Sequence, residues 1–319
     1  MNVKTRYIKT LLVPVLAVLV LVGRAGPVSA TYPGDNGRVV FVRGCCSMWA
    51  IHSVNEVGAD QVTLTDTGAL QATGSPSWSL DGRIVFNSTG AVHGGAADLW
   101  IMNGDGSDVA RLTQTSGSEL EPAWSPNGKR IAFIRRGDVF TMKATGGGRL
   151  RLTQTVREET QPDWSPDGTR IAFVRTLRDG TTELFSIGRR GHHLVRLTTS
   201  KWSEFDPEWL PDGSGLTFTY LRKVGREDWD ASIRFLDAAT LQRSPLLNDP
   251  SVDEHDAVVS PDGTRMAWVR RSPHPDPVLE DLWELVVSDL DGRNATVADS
   301  CALNCSIWDL DWQAIADGT

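Results

Sequence analysis

One phrase recurs along this chain and constrains its fold more than any other feature. Its clearest copies are Glu121–Gly128 and Gln161–Gly168, with the sequences EPAWSPNG and QPDWSPDG. Each copy ends in a turn glycine, and these glycines are Gly37, Gly82, Gly128, Gly168, Gly213 and Gly263. The steps between them are 45, 46, 40, 45 and 50 residues. Periods of this length are typical of propeller blades with four strands each.

Each copy of the phrase predicts a β-hairpin. Pro presets φ at the first corner of the turn, Asp or Asn bonds back to the backbone, and Gly takes the left-handed position. A β-rich run that ends in an aromatic residue follows each turn, as in Ile131–Phe133 and Ile171–Phe173. The Trp before the turn is predicted to pack between neighbouring blades, as large aromatic side chains usually do. Six such second strands therefore predict six four-stranded antiparallel blades.

The first blade lacks an opening strand, because nothing ahead of Asp35 supplies the Trp phrase. The C-terminal segment Ile307–Trp312 supplies one, with Trp312 in the Trp position. A ring closed in this way leaves no unpaired strand edge at its ends. The sequence thus predicts an all-β fold over residues 31–319, a six-bladed β-propeller in which the C-terminal strand completes the N-terminal blade.

Residues 1–30 have the three-part layout of a Sec-type signal peptide. Three basic residues within positions 4–9 precede the apolar run Leu11–Val22, and small residues lead to a cleavage site after Ala30. This run is shorter than the roughly 20 residues that span a bilayer. We therefore expect a secreted or periplasmic protein with no membrane insertion after cleavage; the alternative is a retained N-terminal anchor.

The charge of the chain disfavours two classes of partner. Residues 1–30 contain four basic residues and no acidic one, so their removal moves the formal charge from −8 to −12. A chain this acidic is expected to repel nucleic acid and anionic membrane surfaces. The charge would suit a cation or a basic partner, or it would serve only solubility.

Four cysteines, Cys45, Cys46, Cys301 and Cys305, favour disulfides over a metal site. In an exported chain cysteines usually pair, and neither doublet has the spacing of a zinc site. The loop between the second and third strands of a blade lies on the same face as the loop that leads into the first strand. We therefore predict that at least one disulfide joins Cys45 or Cys46 to Cys301 or Cys305. The alternative is a local Cys301–Cys305 bridge.

The W-S-P-D-G turn at Trp164–Gly168, followed by I-A-F, resembles the repeat of TolB-type propellers, a WD-like family. The resemblance extends from about Asp35 to Trp312 and concerns the propeller domain only. Members of that family bind a lipoprotein partner and unstructured peptides at the cell envelope. The resemblance therefore implies that this chain binds a protein or peptide there. Val259 stands in place of the Trp in the sixth blade, which departs from the pattern without changing the number of blades.

Acidic residues recur at two fixed positions of the repeat and suggest a channel site. Counted back from the turn glycine, the ninth position holds Glu119, Glu159, Glu204 and Glu254. The seventh holds Glu121, Gln161, Asp206 and Asp256, with Asp309 as the equivalent in the closing strand. Because the two positions share strand parity, we expect both sets to approach the central channel, where Ca²⁺ would fit oxygen-only ligands. Alternatively, each acid bonds backbone amides or an arginine.

Aromatic residues on the same face suggest binding of a peptide or a sugar, since Trp is favoured at such interfaces. They are Trp202, Phe205, Trp229, His255 and Trp308. The sequence contains no G-x-S-x-G elbow and no H-E-x-x-H motif. We therefore predict a monomeric, non-catalytic scaffold for a protein or peptide partner. The alternative is a metal-assisted lyase or lactonase that acts on a sugar derivative in the channel.

Overall fold

The computed structural model describes residues 35–45, 48–65, 70, 74–90, 95–224, 229–273, 281–301 and 305–315. The predicted signal peptide and Cys46 lie outside these ranges. Within them, 24 strands form six four-stranded antiparallel sheets, which confirms the predicted six-bladed propeller. Among the described segments, none forms a helix long and apolar enough to cross a membrane.

The blades follow one another along the chain, and within each blade the strands run from the central channel outward. Blade 1 alone combines the two chain ends. The strands are β24 (Cys305–Ile315), β1 (Asp35–Cys45), β2 (Met48–Val54) and β3 (Val62–Thr63) in blade 1; β4 (Gly74–Trp78), β5 (Arg83–Ser88), β6 (Asp98–Asn103) and β7 (Ala110–Arg111) in blade 2; β8 (Glu119–Trp124), β9 (Arg130–Arg135), β10 (Asp138–Lys143) and β11 (Leu150–Arg151) in blade 3; β12 (Glu159–Trp164), β13 (Arg170–Thr176), β14 (Thr182–Gly188) and β15 (Val195–Arg196) in blade 4; β16 (Ser203–Trp209), β17 (Gly215–Lys223), β18 (Trp229–Asp237) and β19 (Arg243–Pro245) in blade 5; and β20 (Asp253–Val259), β21 (Arg265–Ser272), β22 (Leu282–Asp289) and β23 (Thr296–Cys301) in blade 6.

The hydrophobic core lies between blades rather than within a single one. Trp124 of blade 3 packs with Val85 and Leu99 of blade 2, together with Ile131 and Phe133 of its own second strand. This arrangement confirms the predicted role of the repeat Trp as a wedge. Truncating a buried aromatic of this size to Ala typically costs about 3–5 kcal/mol, so these contacts hold neighbouring blades together.

The ring closes as predicted, because β24 pairs with β1 along most of its length. Trp312 lies opposite Val39, and Cys305 lies opposite Cys45 in the Cα register. Cys301, by contrast, is a buried free thiol. The structure thus contradicts the local Cys301–Cys305 bridge and leaves Cys305 as the C-terminal partner for a bridge across the seam.

Every inner strand contains a β-bulge at the same repeat position. The residue seven before the turn glycine has a positive φ in each strand, between 47° and 53°, and the strand register shifts there. The six residues are Ser75, Glu121, Gln161, Asp206, Asp256 and Asp309. Because a bulge interrupts the alternation of side chains, residues before and after it do not share one face of the strand.

Candidate functional site

The bulges aim two rings of side chains into the central channel. The upper ring consists of the six bulge residues themselves, and the lower ring lies two residues further along each strand. Together they enclose a cavity of about 110 Å³. Its walls carry seven carboxylates, and no Lys, Arg or His is among its described lining residues. The seven carboxylates are Glu121, Asp163, Asp206, Glu208, Asp256, Asp309 and Asp311.

Side chains of the upper ring tie each blade to the next. Glu121 Oε2 accepts a hydrogen bond from the backbone N–H of Gln161 at 2.5 Å. Gln161 Oε1 accepts one from the N–H of Asp206 at 3.1 Å, and Asp309 Oδ2 accepts one from the N–H of Ser75 at 2.8 Å. The sequence analysis gave hydrogen bonding to backbone amides as the alternative to a Ca²⁺ site, and these bonds are of that kind.

Side chains of the lower ring also accept hydrogen bonds from the backbone of a neighbouring blade, one layer deeper in the channel. Asp163 Oδ2 accepts a hydrogen bond from the backbone N–H of Trp209 at 2.8 Å, and Asp311 accepts one from the N–H of Trp78. Glu208 differs, since none of the described residues donates a hydrogen bond to its carboxylate, which lines both this cavity and a smaller one below it. The repeat pattern did not predict Asp163, Glu208 and Asp311 as channel residues. Asp163 and Glu208 lie five residues before their turn glycines, and Asp311 is the equivalent residue of the closing strand.

The four glutamates nine residues before the turn glycine are not in the channel. Glu119 pairs with Arg149 at 3.2 Å, Glu159 with Arg175 at 2.6 Å, and Glu204 with Arg243 at 2.7 Å; all three glutamates are fully buried. Glu254 is buried as well and accepts a hydrogen bond from the backbone N–H of Asp249. The expectation that this set lines the channel is therefore wrong, because the bulge breaks the parity on which it rested.

The channel carboxylates hold protons more tightly than free acids. Desolvation raises the pKa of Glu121 to about 7, and the carboxylates of Asp309 and Asp206 add to the effect. Desolvation likewise raises the pKa of Asp163 to about 7 and that of Asp206 to about 6. The pKa of Glu208 lies well above its usual range for the same reason. Each value follows from enclosing like charges without a compensating cation.

Among the described residues, no three or more His, Cys, Asp or Glu side chains converge as a metal-binding group. The sequence-based expectation of Ca²⁺ in the channel stays a prediction. Six of the seven channel carboxylates make hydrogen bonds with the chain's own amide or hydroxyl groups, as Asp206 does with Thr219 Oγ1 at 2.9 Å. The carboxylates of the channel are thus largely held by donors of the protein itself.

An aromatic pocket of about 310 Å³ opens beside the mouth of the channel, between blades 5 and 6. It brings together three of the predicted residues, Phe205, Trp229 and His255, and adds Trp283. The His255 ring lies edge-on to Trp283, with ring centroids 5.3 Å apart. Desolvation lowers the pKa of His255 to about 4, so its imidazole is neutral at pH 7. Trp229 remains 49% exposed and offers an open apolar surface.

The two other predicted aromatics lie elsewhere. Trp202 is not among the residues that line the pocket, and the ammonium of Lys201 lies 5.1 Å from its ring. Trp308 packs against the core between blades 1 and 2, edge-on to Trp49 at 5.6 Å. Trp283 was not predicted as a site residue. Like Trp229, it is a Trp outside the repeat positions, and this feature could have identified it.

The repeat and the fold are both similar to those of a known family. Residues 50–173 match the family model for the TolB beta propeller domain. The chain is therefore similar to TolB-type propellers. The solved structure of TolB from Acinetobacter baumannii is similar to it, with a TM-score of 0.67 and 17% identity over 88% of this chain and 68% of that one.

Other solved structures share this fold. A protein described as putative TolB from Agrobacterium tumefaciens has a TM-score of 0.64 and 17% identity over 88% of this chain and 100% of that one. Hydrazine synthase from Kuenenia stuttgartiensis has a TM-score of 0.70 and 12% identity over 90% of this chain and 48% of that one. No curated protein is similar enough to count as a match.

A second groove, of about 700 Å³, adjoins the aromatic pocket. The two share Trp229, Asp253 and Arg271 as lining residues, so they lie side by side. Arg271 pairs there with Asp281 at 2.6 Å, and Arg222 pairs with Asp230 at 2.7 Å. These ion pairs balance their own charges, which leaves the exposed Trp229 as the dominant apolar feature of the groove.

Proposed function

We propose that this propeller is a non-catalytic scaffold that binds a protein or peptide partner at the cell envelope or outside the cell. The observation that carries the proposal is the aromatic pocket formed by Phe205, Trp229, His255 and Trp283. Half-exposed Trp side chains in a concave site supply large contact areas and are frequent hot spots of protein interfaces.

The chemistry of the pocket supports binding better than catalysis. His255, the histidine among its described lining residues, is kept neutral by burial and by the nearby charge of Arg271, and Arg271 is itself paired with Asp281. The alternative of a metal-assisted lyase or lactonase gains no support, because the described residues assemble no metal-binding group. The adjoining groove of about 700 Å³ offers space for further residues of a bound peptide.

A peptide selection tests this function. Phages that display random heptapeptides would be selected on the immobilised propeller, and enriched peptides would be measured by calorimetry. We expect Trp229→Ala to weaken binding by at least about tenfold, as loss of a hot-spot Trp does. Trp202→Ala is the matched control, since Trp202 is outside the pocket, and should bind like the wild type. Failure to enrich any peptide, or equal loss in both variants, would reject the proposed site.

The location is tested separately. We expect the mature protein, recovered from the periplasm or the medium, to begin at Thr31, one residue after the proposed cleavage site. N-terminal mass spectrometry would check this, and an intact Met1 end in a membrane fraction would favour the retained anchor instead.

A further inference from the structure

The aromatic pocket and the acidic channel adjoin each other. Gln161 and Asp206 line both cavities, and Gln161 Nε2 donates a hydrogen bond to Asp206 Oδ1 where the two meet. The pocket has aromatic walls, whereas the channel is acidic. A ligand that fills both therefore needs an apolar group and, a short distance away, a group that suits clustered carboxylates.

The chain compensates its buried acids with arginine elsewhere but not in the channel. Glu159 and Glu204 lie on inner strands outside the channel, and each is paired with an arginine of its own blade. The channel, with seven carboxylates, has no basic residue among its described lining side chains. Glu208 in particular faces both channel cavities, and no described residue donates a hydrogen bond to its carboxylate. The missing counter-charge is therefore one that a ligand could bring.

The cavity of the channel has room for a small ligand group. Its volume of about 110 Å³ is the space open to the centre of a water-sized sphere, and one water molecule needs roughly 10–15 Å³ in that measure. An ammonium or guanidinium group on a flexible stem therefore fits this space. Arg271 is the basic residue of the neighbouring pocket. Its repulsion of an incoming cation is weak, because Arg271 forms ion pairs with Asp253 and Asp281.

We propose that the bound segment carries a lysine or arginine whose charged end enters the channel mouth, while a neighbouring apolar side chain packs on Trp229 and Trp283. This inference rests on the proposed function and specifies the partner as a basic, apolar-flanked peptide segment. The incoming cation would be stabilised by Glu121, Asp206, Asp256 and Asp309, and it would favour their ionised forms. A peptide with a neutral side chain in place of the Lys or Arg would bring no positive charge to balance those carboxylates.

The phage selection distinguishes this inference from the function on which it rests. We expect enriched heptapeptides to contain Lys or Arg within two positions of an apolar residue. Enrichment of peptides that bind through Trp229 but lack any basic residue would overturn the inference and leave the proposed function standing. Enrichment of no peptide at all would reject both.

A double variant provides the matched measurement. Glu121→Gln with Asp256→Asn removes two charges but keeps oxygen atoms that accept backbone hydrogen bonds. For an enriched synthetic peptide, replacing its basic residue with norleucine should weaken binding to the wild type by about tenfold or more, as expected for loss of one partner of an enclosed charge pair. The same replacement should change binding to the double variant at most about twofold. Equal losses in both proteins would contradict the inference, and Glu208→Gln serves as the second variant if the double variant unfolds.

Discussion

The carboxylate of Glu121 accepts a hydrogen bond from the backbone N–H of Gln161, in the next blade, at 2.5 Å. Equivalent bonds join Asp309 to Ser75 and Gln161 to Asp206 around the same ring. These side chains therefore have two roles. They hold adjacent inner strands in register, and they make the channel acidic.

The first prediction separates these two roles at Glu121. Glu121→Ala leaves the N–H of Gln161 without its acceptor, so we expect the free energy of unfolding to fall by about 1–3 kcal/mol. Glu121→Gln keeps an acceptor oxygen and removes a desolvated charge, so it should match or exceed the wild type. Urea unfolding of the three proteins checks this. Equal destabilisation by Ala and Gln would show that charge, rather than the hydrogen bond, matters at this position.

The second prediction concerns pH. The pKa values of Glu121, Asp163 and Asp311 are raised by desolvation to about 7, whereas an unfolded chain releases these protons near pH 4. Between those values the folded protein holds more protons, so stability is present at low pH and falls as the pH rises through about 7. His52 and His255, with pKa values lowered to about 4, act in the opposite direction only below about pH 6.5.

Measurements above pH 6.5 therefore report the effect of the channel carboxylates on stability without that of the two histidines. We expect the melting temperature to be higher at pH 6.5 than at pH 8.0 by about 2–4 °C for each kcal/mol of stability that the channel carboxylates lose. Calorimetry at constant ionic strength measures it. The variant Glu121→Gln with Asp256→Asn should show a smaller difference between the two pH values. A melting temperature that rises towards pH 8.0 would contradict the assignment.

The third prediction tests the ion pairs that lie outside the channel. Arg175 is 14% exposed and pairs with the fully buried Glu159, so Arg175→Met leaves an uncompensated buried carboxylate. Breaking such a pair usually costs about 3–5 kcal/mol. Adding Glu159→Gln to Arg175→Met should restore part of that loss. Arg149, 33% exposed beside Glu119, is the comparison, and Arg149→Met should cost less by the same urea measurement.

The sequence was sufficient to predict the number of blades and the closure of the ring, but not which side chains line the channel. The spacing of the turn glycines and the Trp phrase at Trp312 predicted six blades and their closure. The same repeat misplaced Glu119 and its equivalents, because a bulge with positive φ at Glu121 cannot be deduced from side-chain alternation. Trp283 was missed because its approach to His255 depends on the long hairpins of blades 5 and 6, whose geometry the repeat does not encode.

The last prediction is a disulfide across the seam, from Cys305 to Cys45 or Cys46. The backbone supports it, because Cys45 and Cys305 are direct Cα partners in the closing strand pair. The buried thiol of Cys301 is free and removes the competing local bridge. A bridge from Cys45 would close a loop of 305 − 45 = 260 residues. By chain-entropy arithmetic a loop of this length is worth about 5–6 kcal/mol, less any strain.

Two variants test the seam bridge. Cys305→Ser should lower the free energy of unfolding by up to the stated amount, and reductant should have no further effect on this variant. Cys301→Ser should keep the bridge and remain sensitive to reductant. A non-reducing peptide map identifies the N-terminal partner directly. Recovery of a peptide that joins Cys301 to Cys305 would contradict the prediction, because the last strand would then be held to the first by hydrogen bonds and packing alone.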